Sequence, residues 1–328
     1  MQRTQQKPVV LIVDSVYNRA PQLFSSISDL HILEAPTGEE ALARMVKEKQ
    51  AAAVVLNVDS YRGPLYQSFG NKGLLARFGV GCDGVDFDKA SKHGLVVTNT
   101  PGVLDSTVAE FTVFLAGEVL RMAGRCSNEI KQGRWNPVMG RELHGKTFAI
   151  LGLGNIGKRV SQILSFGFGV DVLALKKHAG DPDRLKEKYG VNKISTEFSE
   201  IAPHADIVSL HLPANSETHH FLDRDRLHQL KRGAVLINTG RGALVDEIAL
   251  YEALKSGQLA GAGLDVFARE PYKPADPDAD LRTLSNVILT PHIGSSTKEC
   301  SRRMAKRVLQ NIRYFLDKEY DQMDVVTR

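Results

Sequence analysis

Residues 147–157 read Thr-Phe-Ala-Ile-Leu-Gly-Leu-Gly-Asn-Ile-Gly, an apolar run that leads directly into a GxGxxG motif. A helical pattern follows from Ile156 to Phe166, so the stretch predicts a strand, a tight turn and a helix. In this context Gly152 permits the turn, Gly154 lets the backbone approach a pyrophosphate, and Gly157 lets helix and strand pack closely. The sequence therefore predicts a dinucleotide-binding α/β unit, against the alternative of an ordinary glycine-rich turn.

The same alternation continues along the chain, and it predicts two α/β domains of the Rossmann type. A chain of 328 residues is long enough for two cores. Short apolar runs between helical stretches are typical of a parallel, doubly wound sheet. For the larger domain the predicted strands are Thr147–Leu151, Val170–Leu175, Ile207–Leu210, Ala234–Asn238, Gly261–Asp265 and Val287–Leu289.

The first hundred residues predict a smaller α/β unit, with strands at Val9–Val13, Ala53–Leu56 and Leu95–Thr98 and a helix at Glu39–Lys49. The next segments predict a buried helix, an irregular polar arm that contains Trp135, and a capped helix near the end of the chain. They are Val103–Leu120, Arg121–Arg141 and Ser295–Asp317. Sequence pattern alone does not assign the last helix to a domain.

Composition excludes several classes of protein. The net charge is +4, but cations and anions are interspersed, so we expect anionic small ligands and no nucleic acid. Cys82, Cys126 and Cys300 form no metal-binding or disulfide spacing, which predicts no metal site and a reducing compartment. The polar start, Met1–Pro8, leads into a short strand, so we expect no targeting segment, no membrane span and a cytoplasmic location.

The end of the second strand of the larger domain indicates which dinucleotide binds. An NAD site carries Asp or Glu there to accept from the ribose 2′-hydroxyl. Here the strand ends in Lys176-Lys177-His178, and no carboxylate follows until Asp181. Cations at this point suit a 2′-phosphate, so we predict NADP over NAD. The alternative is that both lysines are solvated turn residues.

Three later strands are each followed by a residue with chemistry. Arg241 lies in Asn-Thr-Gly-Arg-Gly, Glu270 in Gly-Leu-Asp-Val-Phe-Ala-Arg-Glu-Pro, and His292 in Thr-Pro-His-Ile-Gly. Sites in open α/β sheets form beyond the carboxyl ends of strands. In reduction of a 2-keto acid, Arg241 would pair with the substrate carboxylate and polarise the keto oxygen, His292 would protonate it, and Glu270 would favour charged His292. Taken singly, each residue is more often structural.

Together these motifs resemble the D-isomer-specific 2-hydroxyacid dehydrogenases, a family that includes phosphoglycerate dehydrogenases and glyoxylate/hydroxypyruvate reductases. The resemblance covers nearly the whole chain. It rests on Phe78–Asp83, Gly152–Gly157, His211–Pro213 with Thr218, Asn238–Gly242, Leu264–Pro271 and Pro291–Gly294.

The resemblance implies the same catalytic set, Arg241, Glu270 and His292. It also implies that the backbone amides of Val80 and Gly81, with Arg241 and His292, bind substrate. The cofactor contacts predicted from motif and resemblance are Thr107, Gly152, Gly154, Asn155, Ile156, Gly157, Lys176, Lys177, His211, Leu212, Pro213, Thr218, Thr239, Gly240, Arg241, Asp265, His292 and Gly294. Among them, Asp265 would accept from the nicotinamide carboxamide.

Family architecture implies a substrate domain of residues 1–100 and 293–328, flavodoxin-like, and a dinucleotide-binding domain of residues 101–292. It also implies that the helix from Val103 and the arm with Trp135 form a homodimer; the alternative is a helix and Trp packed within one chain. Tyr61 and Arg62 would read a polar substrate group or be plain surface residues.

The predicted activity is hydride transfer between NAD(P)H and a small 2-keto or 2-hydroxy acid, for example reduction of glyoxylate or hydroxypyruvate. Two alternatives stay open, a phosphoglycerate dehydrogenase-like activity and a nucleotide-sensing scaffold like the C-terminal-binding-protein corepressors.

Overall fold

The computed structural model describes residues 7–70, 72–178 and 180–326, and their contacts divide into two units. The first unit comprises residues 1–104 and 296–328, and the second comprises residues 105–295. The sequence prediction set these boundaries after residues 100 and 292. Each unit has its own parallel sheet, as the two α/β patterns predict.

The first unit contains a five-stranded parallel sheet in the order β2-β1-β3-β4-β5. This is the flavodoxin-like order, so the predicted fold of the small unit is confirmed. The strands are β1 Val9–Val13, β2 His31–Ala35, β3 Ala53–Leu56, β4 Gly73–Arg77 and β5 Leu95–Thr98. The helices are α1 Asp14–Tyr17, α2 Pro21–Ser25, α3 Glu39–Lys49, α4 Leu65–Ser68 and α5 Phe87–Lys92.

The second unit contains a seven-stranded parallel sheet in the order β12-β11-β10-β9-β6-β7-β8. Its strands are β6 Thr147–Leu151, β7 Asp171–Leu175, β8 Val191–Ser195, β9 Ile207–Leu210, β10 Ala234–Asn238, β11 Leu259–Leu264 and β12 Val287–Leu289. Its helices are α6 Asp105–Arg121, α7 Ala123–Lys131, α8 Asn155–Gln162, α9 Pro182–Tyr189, α10 Arg224–Gln229 and α11 Glu247–Lys255. The order reverses at β6, between β7 and β9, and a ligand site is expected at such a switch point.

The last helix, α12 Lys298–Leu316, returns to the first unit. Thr297 accepts a hydrogen bond from the Cys300 amide at 3.1 Å, so the predicted N-cap is confirmed. The apolar face of α12 packs on β4 and α2, and Arg313 forms an ion pair with Asp29 at 2.8 Å. The tail of the first unit is therefore joined to it by both apolar and charged contacts.

Several elements differ from the sequence prediction. Strands β2, β4 and β8 were not predicted. The first and last lie at sheet edges, where a strand needs fewer apolar residues, and the short run of β4 does not distinguish a strand from a helix. The arm is not wholly irregular, because α7 occupies residues 123–131. The helix after the GxGxxG turn ends in a π-helical turn at Ile163–Gly167.

Helix α6 packs one buried face against β10, β11 and α8, as its apolar pattern predicts, but its Phe114 side chain is 70% exposed. In the arm that follows α6, large apolar side chains are exposed to solvent: Trp135 is 82% exposed and Met139 is 96% exposed. The alternative of a Trp packed within the chain is therefore wrong. Among the residues that the structure describes, no helix is long and apolar enough to cross a membrane.

Candidate active site

The turn between β6 and α8 has the shape that the glycine pattern predicts. Gly152 has a φ of +103°, and a Cβ there would lie 2.6 Å from the backbone carbonyl of His211. A Cβ at Gly157 would lie 2.3 Å from the Gly152 carbonyl oxygen. These two positions require glycine for conformational and packing reasons.

Gly154 differs, because a Cβ there would meet no protein atom within 4 Å. It is the N-cap of α8 and offers no side chain to the first-turn amides. An open backbone approach at an uncapped helix N-terminus fits an anionic diphosphate. The geometry of this turn therefore fits the dinucleotide, with Asn155 and Ile156 beginning the helix beside it.

The loop after β9 lies next to this turn. The His211 backbone amide donates to the Leu151 carbonyl at 2.7 Å. The Nε2 atom of the His211 imidazole lies 2.7 Å from the Ser209 hydroxyl. Burial lowers the pKa of His211 to about 4, so this imidazole is neutral at physiological pH. Thr218 donates from its hydroxyl to the Pro213 carbonyl at 2.6 Å and closes the loop. Leu212, between them, packs on the core of the sheet.

The two lysines after β7 have different surroundings. Lys177 Nζ lies 3.1 Å from Glu217 Oε2, in the loop after β9, and both side chains are largely exposed. Lys176 is half-buried, and its amide donates to the Ser195 carbonyl of β8 at 3.0 Å. The structure therefore separates two neighbours that the sequence treats as one motif.

The loop after β10 is shaped by a side chain that sequence reasoning missed. Asn238 accepts from the Gly240 amide at 3.0 Å and donates to the Arg241 carbonyl at 2.9 Å. Gly242 lies so close to the loop after β11 that a Cβ would be 1.8 Å from the Phe267 carbonyl carbon. A glycine is therefore required beside Arg241, and the two loops come into backbone contact. The Asn-Thr-Gly-Arg-Gly motif contains the signal for both features.

His292 and Glu270 are directly paired. The imidazole Nδ1 lies 2.7 Å from Glu270 Oε2, and the other carboxylate oxygen accepts from the Phe267 amide at 3.0 Å. Burial raises the pKa of Glu270, but the hydrogen bond and charge of His292, with a smaller contribution from Arg241, outweigh it, so the pKa of Glu270 is below its ordinary value. Arg241, Glu270 and His292 follow the neighbouring strands β10, β11 and β12, and the charge of Arg241 reaches Glu270.

The backbone of His292 is in the left-handed region, with a φ of +52°. Its amide donates to the Asp265 carbonyl at 2.9 Å, and the Asp265 carboxylate accepts from the Ile293 and Gly294 amides at 2.8 Å each. The Thr290 hydroxyl donates to the same carboxylate at 2.6 Å. Asp265 is buried, and burial raises its pKa above the ordinary value despite these donors. Thr290, which the sequence reasoning did not single out, completes this network.

The remaining predicted contacts are distributed over both units. Thr107 on α6 is buried, and the Thr239 hydroxyl lies 2.8 Å from that of Thr112. In the first unit, Asn99 donates to the Val80 carbonyl at 2.8 Å, in the loop that contains Gly81. Within the described part of the chain, no group of three or more His, Cys, Asp or Glu side chains could hold a metal ion.

Tyr61 and Arg62 both serve the first unit's own structure. Tyr61 is 1% exposed, and its hydroxyl donates to Asn57 at 2.9 Å. The interpretation of Tyr61 as a surface residue is therefore wrong. Arg62 donates to the Asp83 carbonyl at 2.7 Å and to the Val85 carbonyl at 3.2 Å. Arg62 thus binds the loop that follows β4, whereas the Tyr61 hydroxyl bonds within the loop that follows β3.

The second unit has a seven-stranded doubly wound sheet and a glycine turn open to a diphosphate. It also has an Arg, a Glu and a His at neighbouring strand ends. Together these features define a dinucleotide-binding protein of the dehydrogenase class. The chain belongs to the D-isomer specific 2-hydroxyacid dehydrogenase family: residues 113–294 match the model of that family's NAD binding domain. It is therefore an oxidoreductase with a nicotinamide dinucleotide-binding domain, and the predicted family and fold class are confirmed.

Individual relatives agree with this assignment. A glyoxylate reductase of Korarchaeum cryptofilum is 34% identical over 93% of this chain and 92% of its own length. A D-3-phosphoglycerate dehydrogenase of Methanocaldococcus jannaschii is 32% identical over 94% of this chain and 57% of its own. The crystal structure of an NADPH-dependent glyoxylate/hydroxypyruvate reductase from Sinorhizobium meliloti matches with a TM-score of 0.82 and 28% identity, covering 98% of this chain and 97% of that one.

Proposed function

We propose that this protein reduces a small 2-keto acid, such as glyoxylate or hydroxypyruvate, to the D-2-hydroxy acid, with NADPH as the preferred hydride donor. The observation that supports this most strongly is the pair of His292 and Glu270, joined at 2.7 Å through Nδ1. That contact leaves the imidazole Nε2 as the atom that gives a proton to substrate, while the carboxylate stabilises the charged ring.

Arg241 is proposed to bind the substrate carboxylate and polarise the keto oxygen. Its position supports the role, because the Asn238 network and the close approach of Gly242 to Phe267 place it beside the Glu270 loop. A guanidinium pairs with a carboxylate through two parallel hydrogen bonds. The amides of Val80 and Gly81, in the first unit, are proposed as further donors to substrate.

The dinucleotide supplies a hydride when it is bound, and the protein supplies the proton and the orientation. The proposed contacts of the diphosphate are the amides of Gly154, Asn155 and Ile156 at the α8 N-terminus. Five residues are proposed to lie at the nicotinamide end: Thr107, Thr239, Gly240, Asp265 and Gly294. The loop that contains His211, Leu212, Pro213 and Thr218 is proposed to lie at the adenosine end.

A preference for NADPH is supported by the cations that follow β7, where no carboxylate occurs between residues 176 and 180. The Sinorhizobium meliloti relative, whose name describes it as NADPH-dependent, is consistent with this proposal. The unit assignments are also proposals: residues 1–100 with 293–328 for substrate, and residues 101–292 for dinucleotide.

A homodimer is proposed on the basis of exposed apolar side chains in one segment. Phe114 is 70% exposed, Ile130 57% and Trp135 82%, which is unusual for large apolar groups on a single stretch of a monomer. A second copy of the same segment would cover them. A reducing, cytoplasmic location is also proposed, on the basis of the cysteine spacing in the sequence.

The experiment is a panel of keto acids, glyoxylate, hydroxypyruvate, pyruvate and 3-phosphohydroxypyruvate, each assayed with NADH and NADPH. We expect turnover of the small keto acids that falls at least about a hundredfold in His292→Ala, because a general acid contributes about 10²- to 10⁴-fold. Preference for 3-phosphohydroxypyruvate would assign a phosphoglycerate dehydrogenase activity. Tight cofactor binding without turnover of any acid would indicate a nucleotide-sensing scaffold.

A further inference from the structure

A pocket of about 220 Å³ lies between the start of α8, the end of β7 and α9. Three cationic side chains line it, Lys158 from α8, Lys176 from the end of β7 and Arg184 from α9. Only Lys176 belongs to the basic motif that follows β7 in the sequence. Since these residues are separated by up to 26 positions in the chain, tertiary folding creates the charge cluster.

The pocket is strongly unbalanced in charge. Its single carboxylate, Asp181, caps α9 by accepting from the Arg184 amide at 3.2 Å. None of the three cations has an ion-pair partner among the residues that the structure describes. Three positive groups without acidic partners repel one another, and an anion placed between them would relieve that repulsion.

Two further contacts shape the pocket. Lys158 Nζ lies 5.5 Å from the ring centroid of Tyr189, which holds its aliphatic stem against α9. Gly180 has a φ of +74°, and a Cβ there would lie 3.2 Å from Lys176 Nζ. The backbone beside Lys176 therefore leaves little room for a side chain, and the ammonium group is kept at the pocket.

Lys177 is excluded from this arrangement. It does not line the pocket, and its ammonium group pairs with Glu217 in the loop after β9. Of the two lysines at the strand end, one is therefore available to an anion in the pocket and the other is partly neutralised by a carboxylate.

We infer that Lys158, Lys176 and Arg184 together form a phosphomonoester site that holds the 2′-phosphate of NADPH, and that Lys177 is not part of it. The inference rests on the proposed NADPH preference and names the residues that cause it. The location supports it, because the ribose of a dinucleotide lies at the end of the second strand of such a sheet. Asp181, the first carboxylate after that strand, is engaged as a helix cap.

The test compares adenosine 2′,5′-bisphosphate with adenosine 5′-monophosphate by isothermal titration calorimetry, since these two probes differ only in the 2′-phosphate. We expect the wild-type protein to bind the bisphosphate at least about tenfold more tightly, an advantage that decreases with salt. Lys176→Ala and Arg184→Ala should each weaken bisphosphate binding roughly tenfold and leave monophosphate binding unchanged.

Lys186→Ala is the matched control, because it removes a cation from the same helix at an exposed position outside the pocket. It should keep the wild-type ratio of affinities, as should Lys177→Ala. Arg184→Lys should recover part of the ratio. Thermal unfolding of each variant shows whether it is folded, and Arg184 is exposed, so its replacement is not expected to unfold α9.

Two outcomes would overturn the inference. One is equal affinity of the wild type for both probes, which would also remove the proposed NADPH preference. The other is a ratio that survives in Lys176→Ala and Arg184→Ala but disappears in Lys177→Ala, which would keep the preference and assign it to the wrong residues. Turnover of keto acids with NADH is a separate readout, so failure of the reductase proposal is distinguishable from both.

Discussion

Replacing Glu270 by Gln tests whether the carboxylate stabilises the proposed proton donor, His292. The variant keeps an oxygen that can accept from His292 Nδ1, which now lies 2.7 Å from Glu270 Oε2, but removes the negative charge. In the proposed reduction the charged imidazole is the proton donor, and the carboxylate stabilises that form. Without the negative charge the charged ring is less stabilised, so kcat/KM for reduction falls.

The magnitude follows from the geometry. Two unit charges 2.7 Å apart interact by about 1.5 kcal/mol even with the dielectric constant of water. Both side chains are 31% exposed, so the effective dielectric constant is below that of water. The value of about 1.5 kcal/mol is therefore a lower bound on the interaction energy. Since about 1.36 kcal/mol corresponds to a factor of ten in rate, we expect kcat/KM for reduction to fall by at least about tenfold.

The assay is kcat/KM for glyoxylate reduction and for glycolate oxidation across pH 5 to about 10. In oxidation the neutral ring takes up the proton and acquires the same charge, so its kcat/KM should fall by a similar factor. The control is Glu247→Gln, because Glu247 accepts from the Ala268 amide of the same loop at 2.7 Å without contacting His292. An unchanged kcat/KM in Glu270→Gln, or an equal loss in the control, would refute a direct role for the charge.

Three further predictions concern stability, cofactor binding and assembly. Burial lowers the pKa of His211 to about 4, whereas the unfolded chain takes up this proton near pH 6.5. The free energy of unfolding should therefore fall by about 2 kcal/mol from pH 7 to pH 5. Urea titration should show that this free energy depends less on pH in His211→Gln than in the wild type. Gly154→Ala should weaken dinucleotide binding and leave the Tm unchanged, whereas Gly157→Ala should lower the Tm. The reason is that only the Cβ added at Gly157 meets other protein atoms. Equal Tm values for the two variants would contradict this reasoning. Trp135→Glu should convert the proposed dimer to a monomer in sedimentation velocity. Tyr320→Glu, which changes an exposed aromatic residue of the first unit, should not.

Local sequence predicted most of the fold because parallel strands and their helices have strong short-range signals. Buried strands such as β6 and β10 are continuous apolar runs, and their bounds are those that the pattern indicates. The edge strand β8, with three of its five residues outside the core, has no such run. Its place in the sheet depends on pairing with β7, a long-range contact that a local pattern does not show.

The sequence by itself determined the class of chemistry: a glycine turn after a strand, and Arg241, Glu270 and His292 after three others, because these signals are contiguous in the chain. Only the tertiary structure decided which of these groups touch. It paired His292 with Glu270, used Asp265 to hold the left-handed backbone of the His292 loop, and separated Lys176 from Lys177. The physical reason is that hydrogen bonds and ion pairs depend on distances of about 3 Å, which are set by how strands and loops pack rather than by their order along the chain.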